Sequence, residues 1–498
     1  MQAYLRDRTL EPDCQAPTDQ TIDAQGKYIC PGFIDVHTHS DAYILLEPNA
    51  PSKIHQGVTT EIVGNCGASC APLYPGSHMP SDWSAHEYPG SWQTIAEYRT
   101  LLEQVTPGVN IVCLVGHNTL RAGAMGYAPR TATPEETRLM TQRLKQAMDE
   151  GATGLSTGLV YNPGRFAESR EVEELVRVVA ARHGIYTSHM RSESSKLLEA
   201  INETLAFSEA TGARVLISHL KAYGQKNWHL LEPALKRIHQ AQQSGMEVYA
   251  DRYPYTASCT DLDIIFPEWA VAGGPDRMLQ RLRTPKERQR LLDDLKQKDD
   301  AYWTFITIGS TIHPDNQRYA GAPLVQVADH MRAHPAEAAL QIAEKDQLRT
   351  AAFFHGMDAA NMQRVLQEPY VMIGSDASLR APTGPLSHDW PHPRAYGTFP
   401  RFLRMALDGN TVELPDAIRK MTALPADTFR LSQRGKLQTG YKADILVFDP
   451  QTVRDQSAFD RPHALATGIE HVMVNGTPIL QGGLHTHQRN GRFLQGIT

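Results

Sequence analysis

Residues 31–41 read PGFIDVHTHSD. Turn residues open the stretch, an apolar run follows, and the run ends in His37 and His39. This is the pattern of a buried strand that turns polar at its C-terminal end, and alternation along a strand points both histidines to one side. Seven later runs have the same form: TTEIVG (59–64), NIVCLVG (110–116), TGLSTGL (153–159), IYTSHM (185–190), VLISHL (215–220), EVYADRY (247–253) and YVMIGSD (370–376). Amphipathic helical stretches separate most of them. In residues 134–151, PEETRLMTQRLKQAMDEG, Leu139, Leu144, Ala147 and Met148 make one apolar face, Pro134 opens the helix and Gly151 closes it. Near-continuous apolar strands alternating with helices predict parallel strands covered on their outer face. Eight such strands predict an α/β fold of the (β/α)8 type rather than a doubly wound sheet.

The barrel is expected over residues 32–427. Its regular spacing breaks between Tyr253 and Asp376, where a segment of about 260–349, rich in charged helix formers, is expected to form a helical lid over the C-terminal face. Residues 1–31 and 428–498 read as short strands and turns and are expected to pair into one small β domain beside the barrel.

Composition narrows the function. Of 498 residues, 49 are Lys or Arg and 55 are Asp or Glu, giving a net charge of −6. So balanced a chain argues against nucleic acid and anionic membrane surfaces and favours a small soluble ligand. No apolar run is long enough for a membrane span and the opening residues have no signal-peptide core, so a cytoplasmic location is expected. The six cysteines, at 14, 30, 66, 70, 113 and 259, are too sparse for a secreted disulfide framework. Cys66 and Cys70 lack the second ligand pair of a structural zinc finger.

The chemistry lies at the strand ends. His37 and His39 close the first strand, Cys66 follows the second, His189 the fifth, His219 the sixth and Asp376 the eighth. Barrel active sites are built at that end. Imidazole, thiolate and carboxylate together suit Zn²⁺ or a similar divalent metal. One metal can use Cys66, His189 and His219, and a second His37, His39 and Asp376. His117, at the end of the third strand, reads as support for the site. His183, His239, His313, His330 and His334 read as solvated, and His485 and His487 have no partner pattern.

PGFIDVHTHSD, GVTTEIVGNCGAS, GHNTLR, GATGLSTGLVYNPG, YTSHMRSE, ISHLKAYG, DRYPYTAS, IGSDAS and HPRAYGTFPR together resemble the N-acyl-D-amino-acid deacylases, or D-aminoacylases, of the amidohydrolase superfamily, over roughly residues 20–480. The resemblance implies a tight zinc on Cys66, His189 and His219, a weaker second metal on His37, His39 and Asp376, and Asp376 as catalytic acid and base. It implies that Lys221, Arg394 and Tyr255 hold the carboxylate of an N-acyl amino acid substrate, and preference for the D isomer rests on it alone. The family carries two more strands ahead of this N-terminus, so the small β domain is expected to be incomplete, and Ala377 stands where a glycine is often found. The alternative is a cyclic amidase of the dihydroorotase or hydantoinase type. Those enzymes typically bridge two metals with a carboxylated lysine on strand four, and TGLSTGL has none. Residues 255–276 contain no Lys or Arg but do contain Asp261, Asp263 and Glu268 among Leu262, Ile264, Ile265, Phe266 and Trp269. That predicts substrates with neutral or apolar side chains.

Overall fold

The computed structural model describes residues 22, 24, 26–74, 79 and 83–496. Cys14 and residues 1–21 of the expected N-terminal β segment lie outside them. After β1 (Tyr28–Pro31) come seven strands of one sheet: β2 (Phe33–Asp35), β3 (Val58–Val63), β4 (Asn110–Gly116), β5 (Gly154–Gly158), β6 (Ile185–His189), β7 (Arg214–Ile217) and β8 (Val248–Arg252). Three short strands follow, β9 (Ser258–Asp261), β10 (Ile306–Ile308) and β11 (Ala351–Phe354), before β12 (Val371–Ile373) completes the first sheet. Its order is β12-β8-β7-β6-β5-β4-β3-β2, every pairing is parallel, and helices lie between successive strands. All eight strands expected from the sequence are present. Ile34, Val36, Ile62, Val112, Leu114, Ile185, Leu216 and Met372 form one buried cluster across these strands, joined by Phe429 and Leu431. The barrel interior is therefore packed away from its C-terminal mouth.

The helix Pro134–Asp149 shows how local sequence sets an outer element. Thr133 and Glu136 form a reciprocal capping box, Pro134 occupies the first turn, and Thr137, Met140, Leu144, Ala147 and Met148 are buried. The buried face centres on Met140, and Leu139 is only half-buried. No helix among the described residues is long and apolar enough to cross a membrane.

Between β8 and β12 the chain forms a separate apolar cluster, in which Leu262, Ile265 and Phe266 pack with Trp303, Leu324 and Leu340. Six of its helices lie between Pro275 and Lys345. The segment is not wholly helical: β9, β10 and β11 make an antiparallel sheet in the order β10-β11-β9. These strands have three or four residues each, too few to show alternation. In a third sheet, β1 pairs antiparallel with β13 (Ile445–Phe448), followed by β14 (Ile469–Val474), β15 (Thr477–Gln481) and β16 (Leu484–His485), five strands in all.

The first and last barrel strands meet at a seam. Thr38 and Ala377 form a parallel bridge, Asp376 N donates to His37 O at 2.7 Å, and His39 N donates to Ala377 O at 3.4 Å. The fully buried Lys53 sits under this seam. Its Nζ donates to Asp35 Oδ2 at 2.9 Å, Ser375 Oγ at 3.1 Å and Ala377 O at 3.3 Å, with Glu61 Oε1 at 3.1 Å. Burial opposes charge on Lys53, but Asp35 and Glu61 outweigh it and hold the ammonium above its ordinary pKa. Removing one partner of a buried ionic group leaves charge uncompensated at a cost of about 3–5 kcal/mol. Lys53→Met is therefore expected to lower the denaturant midpoint markedly. A midpoint equal to that of the wild type would show that the seam does not depend on Lys53.

Candidate metal centre

Each candidate ligand stands at the C-terminal mouth of the barrel, and the backbone there is unusual. His189 is the last residue of β6, while Cys66, His219 and Asp376 lie two or three residues beyond β3, β7 and β12. These three have φ of +53°, +38° and +52°, left-handed values that non-glycine residues adopt only where surroundings impose them. For Cys66 the surroundings are glycines. A Cβ on Gly158 would lie 2.0 Å from Cys66 O, and one on Gly116 would lie 2.4 Å from Gly67 O. Backbone thus packs on backbone, and the helix His117–Met125 adds donors from its first turn, with Asn118 N and Thr119 N reaching Gly67 O at 2.9 and 3.2 Å. β2 ends at Asp35, so His37 and His39 are not within the ladder. They flank Thr38, whose bridge to Ala377 keeps both rings on one side.

The donors converge. One ligand atom from each of His37, His39, Cys66 and Asp376 lies within 4.8 Å of the others, as do those of Cys66, His189 and His219. Cys66 belongs to both sets. Its Sγ is 3.2 Å from His37 Nε2 and 3.6 Å from both His189 Nδ1 and His219 Nε2. His39 Nε2 is 3.1 Å from Asp376 Oδ1. Two carboxylates that sequence reasoning passed over orient the rings. Asp251 Oδ2 takes His37 Nδ1 at 3.1 Å and its Oδ1 accepts from His219 N at 2.8 Å. Glu193 Oε1 takes His219 Nδ1 at 2.6 Å. In each case one nitrogen is held from behind and Nε2 faces the cluster, the arrangement that fixes a ligating tautomer. Both acids lie in conspicuous stretches, DRYPYTAS and YTSHMRSE, but neither ends a strand as an isolated polar residue.

The electrostatics fit a cation. Burial alone would raise the Cys66 thiol, yet His37 and hydrogen bonds from His189 and His219 draw it well below its ordinary pKa. Against burial, hydrogen bonds to Asp376 and Cys66 lift His39 to about 9. His219 rises to about 10 despite burial and Lys221, through Glu193 and Cys66. Anionic groups thus pull protons onto imidazoles at the spot where a divalent metal would displace them. The donor set of one thiolate, four imidazoles and one carboxylate suits such a metal.

The basic residues are close by. Lys221 Nζ donates to Glu193 Oε1 at 2.5 Å, and Arg394 Nη1 is 2.8 Å from Asp376 Oδ2. Tyr255 is not brought to the cluster. Its N donates to Tyr253 O at 3.0 Å, an i to i+2 turn about Pro254 that redirects the chain, and its hydroxyl points to Asp455 Oδ2 at 3.5 Å. Tyr253 stands there instead, with the Arg394 guanidinium 4.6 Å from its ring centre. Tyr161, within GLVYNPG, packs edge-on against His189 with ring centres 4.8 Å apart. His117 joins no ligand set. Its Nε2 meets Glu171 Oε1 at 2.8 Å, anchoring the helix that holds the Cys66 turn.

Comparison with known proteins gives the family. The model of the amidohydrolase family matches residues 20–266 and 323–480, leaving out much of the insertion. The chain is 35% identical to the N-acyl-D-glutamate deacylase of Alcaligenes xylosoxydans xylosoxydans over 483 residues, covering 96% of this chain and 89% of the relative. It is 36% identical to the D-aminoacylase of the same organism over 477 residues, covering 95% and 88%. The crystal structure of N-acyl-D-glutamate deacylase from Bordetella bronchiseptica, complexed with zinc and a phosphonate mimic of the tetrahedral intermediate, superposes with a TM-score of 0.79 at 34% identity, covering 95% of this chain and 90% of the other. The chain belongs to the N-acyl-D-amino-acid deacylase (D-aminoacylase) family of the amidohydrolase superfamily, hydrolases of linear amides.

Proposed function

We propose that the protein is a zinc-dependent deacylase that cleaves the amide bond of N-acyl-D-amino acids with neutral or hydrophobic side chains, releasing a carboxylate and a free D-amino acid. The cluster of donors around Cys66, with Asp376 held beside it, carries this reading. Cys66, His189 and His219 would hold one zinc tightly, and His37, His39 and Asp376 a second, weaker metal. A bound divalent cation supplies Lewis-acid polarisation of the amide carbonyl and acidifies the attacking water.

The chain's own groups supply the rest. Burial pushes the Asp376 carboxyl up, but the charges of Arg394 and His37 draw it well below the usual carboxylate range, so it is held in the ionised form that a proton acceptor needs. With Oδ2 paired to Arg394, Oδ1 accepts the water's proton and returns it to the leaving nitrogen, which departs as a neutral amine. Burial pushes the Tyr161 phenol well above its ordinary pKa, so it remains a neutral donor for the carbonyl oxygen as that oxygen gains charge. Arg394 Nε and the Tyr253 hydroxyl are buried and find no hydrogen-bond partner among the described residues. The α-carboxylate of a substrate would satisfy both, with Lys221 adding charge nearby.

The D hand is carried over from the relatives. The side-chain preference rests on charge. Most of the apolar residues after Tyr255 pack the insertion's own core, so they do not argue for a pocket. The segment nevertheless brings Asp261 and Asp263 and no cation of its own, and the nearby Arg165 already lies in the fields of Glu268 and Asp263. A second substrate carboxylate would meet repulsion there. A cyclic amidase reading loses support at β5, where GLSTG offers no lysine.

Asp376→Asn keeps size and removes the base. Turnover is expected to fall by about two to four powers of ten, with the far-ultraviolet circular dichroism unchanged. Full turnover at normal metal content would assign the proton transfer elsewhere. In a competition assay with equal N-acetyl-D-methionine and N-acetyl-D-glutamate, D-methionine is expected to be released with the higher kcat/KM and the L isomers to be left intact. Faster release of D-glutamate would overturn the side-chain preference, and cleavage of the L isomers would overturn the hand.

A further inference from the structure

The insertion touches the centre through two neighbouring residues of β9. Thr260 Oγ1 donates to the Tyr161 hydroxyl oxygen at 3.2 Å, and Cys259 O accepts from Arg394 Nη2 at 3.3 Å. β9 is an edge strand of the insertion's sheet, registered on β11 through Cys259↔Phe353 and Thr260↔Ala352. Ala352 is fully buried in the same cluster as Trp303, Leu324 and Leu340. The place of Thr260 is therefore set by the insertion's packing, whereas Tyr161 is carried by the loop after β5 of the barrel.

A phenol has one proton and acceptor lone pairs. A bond accepted from Thr260 occupies a lone pair and leaves the Tyr161 proton to be given away. Among the described residues no group takes that proton, and the ring is already fixed against His189. We propose that Thr260 is a positioning residue: it sets the rotation of the Tyr161 hydroxyl so that its proton points at the scissile carbonyl oxygen, which makes the insertion a working part of the centre as well as its cover. This rests on the amide-hydrolase reading of the centre, and on neither the hand nor the side chain of the substrate.

An orienting bond of this kind acts on the transition state more than on ground-state binding. The test compares Thr260→Val, Thr260→Ser, Tyr161→Phe and the Tyr161→Phe/Thr260→Val double variant, each at matched metal content, on whichever N-acetyl amino acid the wild type cleaves fastest. Thr260→Val is expected to lower kcat about tenfold with KM within about twofold, the loss of one hydrogen bond's orientation. Thr260→Ser, which keeps the hydroxyl, is expected to restore most of it. The double variant is expected to be no slower than Tyr161→Phe alone, because Thr260 acts only through that phenol. Wild-type kcat in Thr260→Val, equal losses in the Val and Ser variants, or losses that multiply in the double variant would each overturn the proposal. Should the wild type prefer an L substrate, the proposed hand fails while the cycle, run on that substrate, still decides the role of Thr260.

Discussion

The closure of the barrel between β2 and β12 is the constraint on which the centre depends. Two short strands, each three residues long, meet through the Thr38–Ala377 bridge, and that junction brings His37 and His39 from one end of the sheet to Asp376 from the other. Beneath it lies a fully buried ammonium between two fully buried carboxylates, with the Ser375 hydroxyl and the Ala377 carbonyl completing its shell. Such an arrangement is stable only when every member is in place, which ties the geometry of Asp376 to residues that never meet a substrate.

From that seam the charges alternate inward. Arg394 faces Asp376, Asp251 backs His37, and Glu193 lies between His219 and Lys221. Each imidazole that points to the Cys66 sulfur is oriented from behind or packed from the side, which holds the donors in one arrangement. Cys66 itself is held in a left-handed turn by backbone contacts with Gly116 and Gly158. Three of the candidate ligand positions, Cys66, His219 and Asp376, carry left-handed backbone in the loops beyond the strands.

Much of this was legible in the sequence because it follows from strand-end position. Apolar runs ending in His37, Cys66, His189, His219 and Asp376 fix both the count of strands and the face on which the polar residues gather, and all eight strands and both donor sets are found together. What was hidden depends on local backbone direction. The turn about Pro254 reverses the expectation for the YPY tyrosines, turning Tyr255 to Asp455 and leaving Tyr253 by Arg394. The insertion's sheet rests on strands too short to leave a period, and the apolar residues after Tyr255 serve its core instead of a pocket. Asp251 and Glu193 leave no signal in the sequence, because orienting an imidazole requires only a carboxylate behind the ring, a relation that spacing along the chain does not record.

The sulfur of Cys66 sits at the meeting point of both donor sets, and its proposed ligation of zinc would separate this centre from a site of oxygen and nitrogen donors alone. X-ray absorption at the metal edge of the zinc-loaded protein reads it directly. One sulfur at about 2.3 Å together with nitrogen or oxygen neighbours at about 2.0–2.1 Å is expected, with the sulfur shell lost in Cys66→Ser. A first shell of nitrogen and oxygen alone in the wild type would contradict the account.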